Sequence, residues 1–427
     1  MRLTTSIYTD IISGNMDARL LDICADSSRL TYEKERYISA IMEFEKLFGA
    51  QEVSIFSAPG RSEVCGNHTD HQNGKVLACS INRDAIAVAA PSDGTTIRIK
   101  SGDSPMIQID LNDLNVKEDE CGTTAALIRG IAKGFEKHMY CFGSFDCYVT
   151  SDVLVGAGLS SSAAFETVIG NVINGFYNAM SIDAIEIAQI GQYAENRYFG
   201  KPCGLMDQMA CSVGSLVNID FAVPDEPAVR KVSLDLDKYD LSLCITDTKG
   251  SHSDLTADYA EVPSEMDAAA RFFGCEHLRT VSEEEFINRI AEVRDELGDR
   301  AVLRALHFFE ENKRVDRIVE AIEAGDIDTF LECIRESGDS SYKYLQNVYT
   351  CHDITHQNVS LALCISDKIL NGGKGAARVH GGGFAGTIQA FVRNGSVEEY
   401  KKAMDSIFGE GASSVLKIRK YGGMKVV

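Results

Sequence analysis

The chain contains no apolar run long enough to span a bilayer, which excludes a transmembrane helix of the ordinary kind. It contains no Cys-x-x-Cys pair and no zinc-ligand spacing, although it carries 13 cysteines. An odd, scattered set of that kind reads as buried or free thiols in a reducing cytosol, not as a disulfide framework. Basic residues are in short supply: 42 Lys and Arg stand against 63 Asp and Glu, for a formal net charge of −21. That balance argues against nucleic acid or an anionic membrane as partner. It leaves nucleotide binding open, because a phosphate site depends on local amides, Mg²⁺ and a few cations. Met1-Arg2-Leu3-Thr4-Thr5 runs into mixed polar sequence instead of the apolar core of a secretory signal, so a cytoplasmic location is expected. There is no Gly-x-x-x-x-Gly-Lys-Ser/Thr loop and no Rossmann glycine fingerprint, no internal repeat and no low-complexity tract.

What the chain does have is concentrated in Val153-Leu154-Val155-Gly156-Ala157-Gly158-Leu159-Ser160-Ser161-Ser162-Ala163-Ala164. A β-like run (Phe145 to Val149) precedes this turn and a helix-compatible segment (Ala163 to Phe176) follows it. A glycine-rich turn opening a helix aims unpaired N–H groups and the positive helix end at one point, which suits phosphate. The serines add hydroxyls able to reach phosphate oxygens or a magnesium ion. The alternative is a flexible loop with a serine cap.

At 427 residues the chain is long enough for two domains. The expected division is an N-terminal extension (1–30), a first domain (31–224) and a second (225–427), with the boundary at Pro224-Asp225-Glu226-Pro227. Helices are expected at Tyr32 to Phe48, Thr123 to Tyr140, Ile182 to Phe199, Ser264 to Phe273, Glu283 to Glu296, Ala301 to Ile322, Asp328 to Glu336 and His356 to Leu370. Val53 to Ser57 reads as a strand ended by a turn at Pro59-Gly60. Asp84 to Ala90 and Thr96 to Lys100 read as a hairpin through Ser92-Asp93-Gly94-Thr95. Within Ile182 to Phe199, Glu195 borders the apolar stripe, where a carboxylate is expensive unless it has a partner. Phosphoryl transfer fits such a chain. It asks for amides on the phosphates, a carboxylate and hydroxyl on Mg²⁺, a group near the acceptor hydroxyl and a cation for developing charge.

Five stretches carry a family resemblance. Pro59-Gly60-Arg61, Gly66-Asn67-His68-Thr69-Asp70, Gly156 to Ala163, Pro202-Cys203-Gly204-Leu205-Met206-Asp207-Gln208 and His380-Gly381-Gly382-Gly383-Phe384-Ala385-Gly386 resemble, in order and spacing, the motifs of the galactokinases. Those enzymes belong to the GHMP small-molecule kinases. The resemblance implies an α+β, two-domain GHMP kinase fold, with mixed sheets, packed helices and the active site between the domains. It implies a monosaccharide and ATP as substrates, Mg²⁺ as cofactor, a sugar 1-phosphate as product, and a monomer or weak homo-oligomer. Carried over residue by residue, it assigns Gly156, Ala157, Gly158, Leu159, Ser160, Ser161 and Ser162 to the ATP phosphates, and Ser162 with Glu195 to magnesium. Asp207 resembles the catalytic aspartate, as base or orienting group, and Arg61 its charge-stabilising arginine. Asn67, His68, Asp70, Gly204 and Tyr259 fall to the sugar, and Gly381 to Gly386 forms a close-approach turn beside it.

The sequence departs from the family at Asn67, where galactokinases carry a glutamate for the hydroxyl on C6, and again at Asp70-His71-Gln72. An asparagine can donate where a glutamate only accepts. Galactose and galacturonate, or another C6-modified sugar, both stay open on this reading. A reading of another class is a sugar- and ATP-sensing regulator that does not turn over; the intact Ser160-Ser161-Ser162, Asp207 and Arg61 count against it. His352 with His356, and Asn371-Gly372-Gly373-Lys374-Gly375, read as a polar helix start and a helix C-terminal turn rather than as metal or phosphate sites.

Overall fold

The computed structural model describes residues 1–153, 158–250 and 255–427, and of Thr256 only the backbone. The chain opens with a short strand β1 (Arg2–Leu3) and helices α1 (Thr4–Ile12), α2 (Asp17–Cys24) and α3 (Leu30–Phe48). Two long strands follow, β2 (Glu52–Cys65) and β3 (Lys75–Pro91), then β4 (Thr96–Ser101), β5 (Ile107–Asp110), α4 (Thr124–Lys137), β6 (Phe145–Ser151) and α5 (Ser161–Tyr177). Helix α6 (Ala184–Ala194) runs into a π-helical turn, Glu195–Phe199, and α7 (Met206–Val213), β7 (Leu216–Asp220) and β8 (Ala228–Val232) complete this half. The first sheet runs β1-β2-β3-β6-β4-β5, with β7 pairing the first part of β3 and β8 pairing β7.

Period-2 alternation along β3 decides which layer covers which face. Ile86, Val88 and Ala90 join Ile7, Ile11, Met16 and Leu20 and the α3 stripe Tyr37, Ala40, Ile41 and Phe44. Ala85, Ala87 and Ala89 face the opposite way, onto α4, α5 and α6 through Ile131, Phe135, Val168, Val172 and Ile190. Residues 1–30 are therefore a working layer of the first sheet, not an appendage. Small alanines on that second face let α5 lie close, which brings its N-terminus to the sheet's edge near Arg61.

The second half contributes β9 (Leu241–Asp247), α8 (Thr256–Phe272), α9 (Glu283–Asn288), α10 (Ile290–Leu297), α11 (Asp299–Ala324), α12 (Ile327–Ser340), α13 (Asn358–Leu370), β10 (Gly375–Val379), β11 (Thr387–Arg393), α14 (Val397–Phe408), β12 (Ser413–Leu416) and β13 (Met424–Lys425). A second, antiparallel sheet runs β10-β11-β9-β12. A second π-helical turn, Ser341–Leu345, ends α12.

Further features differ from the sequence expectations. The Asp84–Lys100 hairpin does not form: β6 lies between β3 and β4, antiparallel to one and parallel to the other, because its apolar run fits the sheet interior. Pro59-Gly60 is no turn; β2 continues through it with a register shift, since a bulge leaves the missing proline N–H without a ladder partner to lose. Helix α8 begins at Thr256 and carries Pro263 inside it. Burial of Val262, Met266, Ala269 and Ala270 in one core cluster outweighs the proline penalty of about 3 kcal/mol. The boundary expected near residue 224 falls in the turn between the paired strands β7 and β8. The first sheet thus extends to Val232, and it takes back β13, which pairs β2.

None of the 13 cysteines is disulfide-bonded. Among the described residues, no helix is long and apolar enough to cross a membrane.

Candidate active site

Asp207 sits in the first turn of α7, where the helix dipole favours a carboxylate. Arg61, just past the bulge of β2, donates from Nε to Asp207 Oδ1 at 2.7 Å, and from Nη1 to the Gly158 carbonyl. The Ser160 hydroxyl donates to the other Asp207 oxygen. Leu159 O accepts from Arg61 N at 3.1 Å, so the turn before α5 lies directly on β2. Only glycine allows this at position 60, where a Cβ would come within 2.6 Å of Leu159 O. Burial pushes the Asp207 carboxyl up. The Arg61 charge and hydrogen bond, with Ser160 and Lys201, overcome that and hold it below the ordinary aspartate range. Asp207 is therefore ionised at neutral pH.

The Ser160 hydroxyl is thus committed to Asp207, and its backbone adopts the left-handed conformation (φ 60°) at the start of α5. Ser161 and Ser162 occupy the first turn of α5. Gly156 and Ala157 lie outside the described residues.

The sugar motif occupies the connection from β2 to β3. His68 has positive φ (58°) and faces Gly382 O at 3.0 Å through Nε2. A carbonyl only accepts, so Nε2 carries the proton. Nδ1 is buried without a partner among the described residues, and burial lowers the ring's pKa to about 3, which keeps it neutral. The result is an unengaged acceptor nitrogen. Asp70 packs against Gly204, where a Cβ would fall 1.8 Å from Asp70 Oδ2. The Tyr259 hydroxyl donates to Gly383 O at 3.0 Å, and its ring meets Phe384 edge-on at 5.3 Å. His68, Asp70, Gly204, Tyr259 and the glycine turn after His380 therefore line one region between the halves.

Asn67 does not join them. Its side chain is fully buried (0% exposed), and both amide donors and both acceptor positions are engaged within the protein. Nδ2 donates to Glu63 Oε1 at 3.0 Å and to Gly381 O at 2.7 Å; Oδ1 accepts from Asn347 Nδ2 at 2.7 Å and Ser341 Oγ at 3.3 Å. The expectation that it meets the sugar is corrected on that ground. Its surroundings are charged and closed. Arg378 Nη2 lies 2.7 Å from Glu63 Oε1, both essentially unexposed. Glu311 of α11 accepts from Gly66 N at 3.0 Å and Ser337 Oγ at 2.6 Å, and pairs with Arg314. His307 Nε2 donates to Asn67 O at 2.9 Å.

Ser162 and Glu195, 33 residues apart in sequence, are joined in space and lie 3.2 Å apart (Oγ to Oε1). Glu195 is 2% exposed and opens the π-helical turn after α6. Its Oε2 accepts from Gln208 Nε2 at 2.7 Å and Cys203 Sγ at 3.1 Å. Gln208 Nε2 also reaches Glu166 at 3.1 Å, whose carboxyl is pushed well up by burial and by the Glu195 charge.

Comparison with known proteins gives the family. The galactokinase galactose-binding signature matches residues 42–91, and the GHMP kinase N-terminal domain matches residues 126–215. A galactokinase of Glaesserella parasuis serovar 5 is 33% identical over 84% of this chain and 90% of its own length. The chain belongs to the galactokinase family. A galactokinase of Actinobacillus pleuropneumoniae serotype 5b is 32% identical over 85% of this chain and 91% of its own. The structure of Lactococcus lactis galactokinase with galactose superposes with a TM-score of 0.77 at 24% identity, covering 90% of this chain and 98% of that one. Mevalonate kinase of Methanococcus jannaschii shares the fold more distantly (TM-score 0.61, 16% identity, 86% and 98% covered).

In this galactokinase-family chain, sequence reading left several residues at the site without a role. Gln208 and Cys203 stand inside a quoted motif, yet only the fold shows that they hold Glu195. His380, buried with Nε2 accepting from Glu63 N at 3.3 Å and Nδ1 3.1 Å from Thr387 Oγ1, ties β2 to the second sheet. Lys201 reads from sequence as part of a helix-ending loop; its Nζ lies 3.2 Å from Glu195 Oε1.

Proposed function

We propose that the chain is an ATP-dependent galactokinase that phosphorylates the anomeric hydroxyl of galactose. The bond from the sugar oxygen to the γ-phosphorus forms, the bond from that phosphorus to the β,γ-bridging oxygen breaks, and ADP leaves. The observation that carries the reading is the Asp207–Arg61 pair, locked at 2.7 Å beneath the turn that opens α5. It joins an ionised carboxylate, a cation and a helix N-terminus at one place. Held below the ordinary aspartate range, Asp207 is a weak base. It orients the hydroxyl first and takes the proton late, once bonding to phosphorus has made that oxygen acidic, as suits a loose transition state. Arg61 keeps Asp207 charged and faces the transferring group.

The phosphates of ATP would lie over Gly158 to Ser162 and the first amides of α5, continuing into Gly156 and Ala157. The donor set of Ser162 and Glu195 fits magnesium, which binds through one or two carboxylates, a hydroxyl and substrate phosphates rather than an all-protein cage. Consistent with that mode, no group of three or more metal-ligating side chains occurs among the described residues. When bound, the ion would neutralise charge on the phosphates; Ser162 and Glu195 would hold it. The carboxylate of Asp70 would accept from sugar hydroxyls beside the His68 ring, with Gly204 and Tyr259 shaping the floor.

A C6-modified sugar such as galacturonate gains nothing from Asn67, whose hydrogen-bonding groups are all engaged internally. A panel of galactose, galacturonate, N-acetylgalactosamine, arabinose and glucose at saturating MgATP tests the choice. Galactose is expected to lead in kcat/KM by about tenfold or more, the size of one or two lost hydroxyl contacts. A preference for galacturonate would overturn the sugar assignment while leaving the kinase assignment standing.

Gly204→Ala probes Asp70 without touching it. The new Cβ must displace the Asp70 carboxylate. KM for galactose is expected to rise by about tenfold or more, because small misplacements of a positioning group are costly, with KM for ATP nearly unchanged. Steady-state kinetics with each substrate varied in turn reads both values.

A further inference from the structure

The exposed Lys201 stands against a buried carboxylate. Its Nζ lies 3.2 Å from Glu195 Oε1, the same oxygen that accepts from Ser162 Oγ at 3.2 Å. The two ends of the pair differ sharply: the Glu195 side chain is 3% exposed and that of Lys201 61%. Lys201 belongs to the loop Gly200–Gly204, between the π-helical turn and α7. Among the described residues it is the one cation in an ion pair with Glu195, while Arg61 is engaged with Asp207. A buried carboxylate stripped of its counter-charge is strongly destabilising. An ammonium on a flexible, solvated stem moves at little cost. Glu195 thus needs a cation at all times, and the cation present is one that can leave.

We propose that Lys201 is a stand-in counter-ion for the magnesium position: it neutralises Glu195 in the free enzyme, yields that carboxylate to the divalent cation, and then pairs with the phosphates of the nucleotide. The proposal rests on the reading of Ser162 and Glu195 as the magnesium pair. A doubly charged ion outcompetes a singly charged one at the same oxygen. The displaced ammonium is then beside the first turn of α5, where the nucleotide's negative charge gathers. One side chain covers the site before binding and contributes charge after it, without a change of fold.

The two halves of the proposal predict opposite effects of one substitution. In Lys201→Met, Mn²⁺ binding without nucleotide, read by electron paramagnetic resonance, is expected to tighten by about fivefold or more as a competing charge disappears. Binding of a non-hydrolysable ATP analogue with Mg²⁺, read by calorimetry, is expected to weaken by about tenfold, the loss of one charge-assisted contact. Lys201→Arg restores both. Unchanged affinities, or affinities that move in the same direction, overturn the proposal. Glu195→Gln separates it from the reading beneath it. If Glu195→Gln loses Mn²⁺ while Lys201→Met matches the wild type, the magnesium pair stands and the Lys201 role falls. If Glu195→Gln leaves Mn²⁺ binding intact, both fall.

Discussion

Asp207→Ala is expected to lower kcat for galactose by about 10²- to 10⁴-fold, the range for removal of a group that handles a proton in the transition state. The substitution has two physical consequences. It removes the carboxylate proposed to orient the acceptor hydroxyl, and it leaves the buried Arg61 guanidinium, 5% exposed, without its ionic partner. Ser160 loses the acceptor of its hydroxyl as well. The KM for ATP should change far less than kcat, because the amides at the start of α5 are untouched. A coupled assay of ADP release, with and without sugar, measures the effect. Sugar-dependent turnover in the wild type, lost in the variant, supports the enzyme; no turnover by the wild type on any sugar supports a sensing protein. The pH profile adds a check. Since Asp207 is depressed, its contribution to folding is present above the unfolded carboxylate value and is lost as pH falls through the lower folded value. Its acid limb in kcat/KM accordingly lies below the ordinary aspartate range, and Arg61→Met should move that limb upward.

Arg378→Met is expected to cost about 3–5 kcal/mol of stability, the usual result of removing one partner from a buried ion pair. Arg378 is fully buried on β10 and Glu63 almost so on β2, with 2.7 Å between them. Without the guanidinium, Glu63 keeps, among the described residues, only the Asn67 amide as side-chain partner. Burial already raises the Glu63 carboxyl above its ordinary value, with Arg378 the main influence opposing it. Removing Arg378 raises it further. The sign follows: a group with a raised folded pKa contributes stability below its unfolded value and loses it as pH climbs through the folded one. The variant should therefore be least stable above neutrality and recover toward mild acid. Urea unfolding at two pH values measures this, and Glu63→Gln combined with Arg378→Met should recover part of the loss. A loss confined to acid pH would contradict the assignment.

Much of the fold was legible locally. The α3 stripe of Tyr37, Ala40, Ile41 and Phe44 has helical spacing, and it is buried as that spacing implies. Helix α5 begins within two residues of its expected start. Pairing order was not legible. Nothing in Asp84 to Lys100 reveals that β6, from residue 145 onward, takes the place beside β3. Nor does Pro263 reveal that a buried stripe on both sides of it will keep α8 intact. Local preferences are worth a kilocalorie or so per residue, and tertiary burial overrides them.

The site divides along the same line. Contiguous sequence determined the glycine–serine turn before α5, the sugar motif and the aspartate of α7, because each depends on a short stretch of backbone. Those stretches were enough to place the chain among the galactokinases. Only the tertiary structure decided what each side chain faces. Asn67 is saturated by Asn347, 280 residues away, and by a carbonyl 314 residues away, so its departure from the family pattern is met by partners within the core. Ser160 turns to Asp207, and Lys201 covers Glu195, for the same reason. A hydrogen bond or ion pair is chosen by distance in space, and in a chain that folds two sheets together, neighbours in sequence do not set that distance.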